Sequence, residues 1–82
     1  MNKTEAAEII ATGIRVFYRQ YRDADQYQTL VAGLSSVTRT IFAQEISVCV
    51  HQFPQGTPKH KAGLARPSDT TILTALRKMG EL

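Results

Sequence analysis

Residues 68–80 read SDTTILTALRKMG, and this stretch carries every local signal of a helix with two defined ends. Ser68 is a favoured N-cap residue, and Asp69 follows it in the first turn, where an acid interacts well with the helix dipole. Gly80 stands where a left-handed residue ends many helices. Apolar side chains recur at spacings of three and four (Ile72, Leu76 and Met79, flanked by Leu73 and Ala75). The stretch therefore predicts a short amphipathic helix that closes a helical domain.

The N-terminal part of the chain has the same helical periodicity. Its apolar stripe consists of residues three and four positions apart (Ala6, Ile10, Ile14, Phe17 and Tyr21). Asn2 and Glu5 have capping-box spacing, so we expect a first helix over residues 3–21. Gly13 costs about 1 kcal/mol inside a helix, so it either permits close packing or marks a turn. The polar face is expected to hold Glu8, Thr12, Arg15, Arg19 and Arg22.

A second apolar stripe runs through the middle of the chain (Tyr27, Val31, Leu34, Phe42, Ile46, Cys49 and Phe53, with Val37 and Ile41 beside it). A polar break before it predicts that its helix begins at Asp25. Gly33 and the pair Ser35-Ser36 interrupt the stripe and favour two helices, the second capped by one of these serines, over one long kinked helix. Residues 45–51 also alternate as a short strand does, but the longer helical window favours a helix.

Residues 54–68 contain three prolines, two glycines and one sizeable apolar side chain, Leu64, which is typical of a loop. A loop of this length is uncommon in a compact domain unless it has a function. With 82 residues, the chain has the size of one small domain. The sequence therefore predicts an all-α fold: a single helical domain over residues 1–82, forming a small bundle of three or four helices with a long basic loop before the last helix.

The net charge of +3 is concentrated in the last third of the chain. Residues 1–53 balance their basic and acidic side chains, whereas residues 54–80 contain one acid, Asp69, among several cations. Arg77 and Lys78 are accounted for by the C-terminus of the last helix, where cations are favourable. The remaining basic residues of the loop (Lys59, His60, Lys61 and Arg66) serve no evident packing purpose, so we take them as candidate contacts to nucleic-acid phosphates or to an acidic protein surface.

A second basic surface is expected on the first helix, where Arg15, Arg19 and Arg22 lie at helical spacing beside Tyr18. Arginines can bind phosphates while an aromatic ring stacks on a base. The same pattern also fits a solvated helix face whose end is neutralised by Asp23 and Asp25. Both interpretations remain open from the sequence.

Composition argues against several other classes of protein. The apolar residues form no run long enough for a membrane span, and Glu5 and Glu8 interrupt any targeting core, so we expect a cytoplasmic protein that does not bind a membrane. Cys49 is the single cysteine, which excludes an internal disulfide. Cys49, His51 and His60 do not have the spacing of metal ligands. The carboxylates are scattered, and no two of them form a recognisable pair for acid–base catalysis. Gly56 and Gly63 lack the lysine and the serine or threonine that a phosphate-binding loop requires at fixed spacing. We expect no catalytic site, metal or cofactor, and hence no enzyme.

The segment from Arg66 and Pro67 to Gly80 resembles the closing helix of the lambda-repressor-like helix-turn-helix family, over about a fifth of the chain. In that family a basic residue and a proline precede the last helix, which ends with glycine. The resemblance implies that earlier helices read DNA, with residues 43–47 in the stretch that leads into the turn, although Ser47 stands where a turn glycine is usual. Residues 6–19 alternatively resemble the compact reader of excisionase-like proteins, with Ala11 at the turn.

Two functions are compatible with these features. The first is a small DNA-binding regulator of transcription, expected to be a homodimer, that contacts phosphates through Lys59, His60, Lys61 and Arg66. The second is a small helical protein-binding module, such as an adaptor or inhibitor from a phage or another mobile element, that oligomerises and docks on an acidic partner.

Overall fold

The computed structural model describes residues 1–17, 21–52 and 67–81. These residues form four helices: α1 (Lys3–Phe17), α2 (Tyr21–Val31), α3 (Ser36–Gln52) and α4 (Asp69–Lys78). The predicted all-α bundle is confirmed, and residues 45–51 belong to a helix, with no strand in the described ranges. Most of the predicted basic loop lies outside the described residues, and only Pro67 and Ser68 of it are seen, before α4.

Helix α1 is the central element, because it packs against each of the other three helices. Asn2 caps its N-terminus by accepting a hydrogen bond from the backbone N–H of Glu5 at 2.8 Å, as the capping spacing predicts. Gly13 lies inside the continuous helix and marks no turn. A Cβ built at Gly13 would overlap the Ile46 side chain of α3 and come within 3.2 Å of Tyr27 Cε2 on α2. Glycine is used here for close approach between helices.

Two details of the predicted α1 are wrong. The helix ends at Phe17 rather than at residue 21, and Phe17 is 56% exposed instead of lying on the buried stripe. Thr12, which we expected on the polar face, is fully buried. The reason is the central position of α1: neighbours on several sides bury a wider sector of a helix than one stripe. From Ala6 to Ile14, only Glu8 is exposed.

The boundary between α2 and α3 follows the two-helix prediction. Helix α2 ends at Val31, and α3 begins after Ser35, whose hydroxyl accepts a hydrogen bond from the backbone N–H of Thr38 at 3.2 Å. Arg39 then reaches back to the end of α2, where its guanidinium donates to the backbone oxygens of Val31, Ala32 and Leu34 at 2.9–3.1 Å. Val31 is the last residue of α2, and Ala32 and Leu34 follow it, so the Arg39 guanidinium fixes the corner between α2 and α3.

The predicted start of α2 at Asp25 is wrong, because α2 already begins at Tyr21. Asp23 therefore lies in the first turn of α2 rather than in a break, and it is buried. An acid can be buried at this position because the N-terminal end of a helix favours negative charge and because Arg15 lies beside Asp23.

Helices α3 and α4 run antiparallel, and contacts at two levels join them. The thiol of Cys49 lies 4.0 Å from Thr71 Oγ1, near the start of α4, while Lys78 Nζ at its end lies 3.2 Å from Glu45 Oε1. The ends of α4 agree with the sequence prediction: Ser68 Oγ accepts from the Thr71 backbone N–H, and Gly80 has a positive φ of 79°.

The core is a single cluster to which all four helices contribute. Its fully buried large side chains are apolar apart from Thr12, with Phe42 of α3, Ile10 of α1 and Ile72 of α4 at the centre. Burial of each such side chain stabilises the fold by roughly 1.5–3 kcal/mol. Val37, which we expected beside the α3 stripe, is instead 69% exposed.

Candidate functional site

Most of the candidate binding residues lie outside the described residues. The structure shows the side chain of one of them, Arg15, and places Arg22 in α2 without describing its side chain. The others belong to two segments between helices (Arg19 in residues 18–20; Lys59, His60, Lys61 and Arg66 in residues 53–66). The structure describes the helices that precede and follow these two segments.

Residues 53–66 connect the C-terminus of α3 to the start of α4. Because these helices are antiparallel, both attachment points lie at one end of the bundle. His51 is exposed in the last turn of α3, where its Nδ1 lies 2.6 Å from the Ser47 backbone oxygen, and Pro67 is buried just before Ser68 caps α4. The N-terminus of α4, which favours anions, thus lies at the same end of the bundle as the C-terminus of α3.

Arg15 has a structural role in this fold. Its Nε lies 3.4 Å from Asp23 Oδ1, and its Nη2 donates a hydrogen bond to Thr12 Oγ1 at 3.0 Å. Since Thr12 and Asp23 are both buried, Arg15 ties α1 to the first turn of α2. A phosphate would have to compete with this ion pair. One interpretation of the second basic surface was a helix face neutralised by Asp23 and Asp25. At Arg15 this interpretation holds, because Asp23 binds its guanidinium.

Glu45 is a buried acid whose partner the sequence did not reveal. The nearest basic residue of the same helix is Arg39, but Glu45 neither pairs with it nor points outward: Glu45 is 5% exposed and its carboxylate binds Lys78. The reason is geometric, because α4 crosses the face of α3 that carries Glu45, while Arg39 is engaged at the end of α2. Lys78 is consequently held by a specific acid and not only by the dipole of its own helix.

The charges of the described residues nearly cancel. All seven acids of the chain lie in the described ranges, whereas four of its ten basic residues lie outside them, which leaves six cations against seven acids. Three of those six, Arg15, Arg39 and Lys78, bind partners within the bundle. The excess of positive charge is therefore carried by residues 18–20 and 53–66, and the latter segment contains no acid.

An open apolar groove of about 290 Å³ lies between α1, α2 and α3. Its floor includes Gly13 and Ile46, and the other lining residues are apolar or aromatic apart from one serine (Val16, Phe17, Tyr27, Ala43, Ser47 and Val50). Burial raises the pKa of the Tyr27 phenol, so this hydroxyl stays protonated at neutral pH. The groove has the chemistry of a surface that accepts an apolar side chain rather than an ion.

Cys49 has the environment of a buried thiol. Burial raises its pKa above the usual range and the nearby Glu45 carboxylate adds to this, while the contact to Thr71 opposes it. The thiolate, the nucleophilic form, is therefore disfavoured. Within residues 1–17, 21–52 and 67–81, no three His, Cys, Asp or Glu side chains are grouped as metal ligands would be.

No described helix combines the length and the apolar character needed to cross a membrane. Comparison with known protein families, with curated proteins and with solved structures gives no match.

The described parts of the stretches named in the two resemblances lie inside helices or at their ends. Residues 43–47 lie in the middle of α3, and Ala11 lies in the middle of α1, so neither position is a turn. The helix expected between Pro67 and Gly80 is present as α4.

Proposed function

We propose that the protein is a small DNA-binding regulator of transcription that acts in the cytoplasm as a homodimer and contacts phosphates through Lys59, His60, Lys61 and Arg66. One observation carries the proposal: the described bundle is nearly neutral and uses three of its cations internally. Three of the four basic residues outside the described ranges, Lys59, Lys61 and Arg66, belong to the segment between α3 and α4, which contains no acid.

The expected binding is electrostatic and salt-dependent. Each phosphate neutralised by a lysine or arginine releases condensed counterions, so log affinity falls by about 0.9 per contact for each tenfold rise in salt. The segment supplies Lys59, Lys61 and Arg66, which gives a slope of about −2.7.

Fluorescence anisotropy on a mixed-sequence duplex between about 50 and 200 mM salt tests this proposal. Replacing Lys59 and Lys61 by alanine should reduce the slope to about −0.9, because one of the three cations remains. A matched control replaces Lys3 and Arg77, two exposed cations of the bundle, by alanine and removes the same charge. Absence of binding at the lowest salt, or an equal loss in both double variants, would contradict the proposal.

The apolar groove favours a second candidate function, a protein-binding module of the adaptor or inhibitor type. A groove of this kind accepts an apolar side chain of a partner, while the basic segment attracts an acidic surface. Pull-down after nuclease treatment separates the two candidates. A protein partner retained by the control variant and lost by the Lys59/Lys61 variant, with no duplex binding by either protein, would favour this second function.

A further inference from the structure

We draw no further inference here: the strongest candidate, the open apolar groove between α1, α2 and α3 with Gly13 and Ile46 at its floor, belongs to the second candidate function already proposed, and nothing in the described part of the chain shows what covers it.

Discussion

The ion pair between Glu45 and Lys78 leads to the most specific stability prediction. Replacing Lys78 by methionine keeps much of the side-chain stem but removes the ammonium group that lies 3.2 Å from Glu45 Oε1. Glu45 is 5% exposed, so its carboxylate loses this partner in a site where water replaces it poorly. Arg77→Met is the matched control, because Arg77 lies in the same last turn of α4 and is exposed.

Two contributions determine the size of the effect. Removing a cation from the last turn of a helix costs about 0.5 kcal/mol, and both variants lose this amount. A hydrogen bond to a charged group contributes about 1.5–3 kcal/mol, and we take the lower value because solvent screens a lysine side chain that is 49% exposed. Lys78→Met should therefore lower the free energy of unfolding by about 2 kcal/mol, and Arg77→Met by about 0.5 kcal/mol.

Urea unfolding followed by circular dichroism measures both values, and in thermal unfolding the two variants should differ in Tm by roughly 6–12 °C. A double-mutant cycle isolates the pair: in a Glu45→Gln background, Lys78→Met should cost no more than Arg77→Met does. Equal costs for Lys78→Met and Arg77→Met in the wild-type background, within about 0.3 kcal/mol, would refute the reasoning. Lys78 would then act only through the dipole of α4.

Three further predictions concern a contact, a cap and a thiol. Gly13→Ala should lower the free energy of unfolding by about 1 kcal/mol in urea, because its overlap with Ile46 outweighs the gain in helix propensity. Gly33→Ala is the control: nothing lies within 4 Å of a Cβ added there, so the free energy of unfolding should change by less than about 0.5 kcal/mol. A Gly13→Ala protein more stable than the wild type would contradict the prediction and show that Ile46 moves to make room. Ser68→Ala should lower the free energy of unfolding by about 1 kcal/mol and speed amide hydrogen exchange in the first turn of α4. Unchanged exchange in that turn would argue against Ser68 as the cap. Because burial raises the pKa of Cys49, its contribution to stability is complete below about pH 8.5, the unfolded value, and is lost as pH rises above it. Cys49→Ala should remove this slope between about pH 8 and 9.5, below the range in which Tyr27 ionises, and a slope that persists in this range would contradict the prediction.

The helices that carry their own end signals were predictable from the sequence. In α4, Ser68, Asp69 and Gly80 all indicate the same boundaries, and the structure confirms them. Ser35 likewise marks the start of α3. In these cases residues close in sequence form the relevant hydrogen bonds, so local chemistry determines the result.

The errors arose where distant parts of the chain decide the outcome. The apolar stripe of α1 continues through Phe17 to Tyr21 in the sequence, and no glycine or proline marks the end of the helix at Phe17. The partners of Asp23 and Glu45 depend on where α1 and α4 pass, which periodicity does not specify. The burial of Thr12 depends on the central position of α1 in the same way. The candidate binding residues of the basic segment remain predictions from charge.

The two levels of contact between α3 and α4 have a consequence for how this protein can change over time. Cys49 with Thr71, and Glu45 with Lys78, join the antiparallel pair through side chains of the two helices themselves. Doubling the length of a flexible connection costs only about 0.6 kcal/mol in closure entropy, so insertions and substitutions in residues 53–66 need not compromise folding. Selection can thus alter the segment that carries the charge almost independently of the bundle, and an experimenter can graft other recognition sequences at the same place.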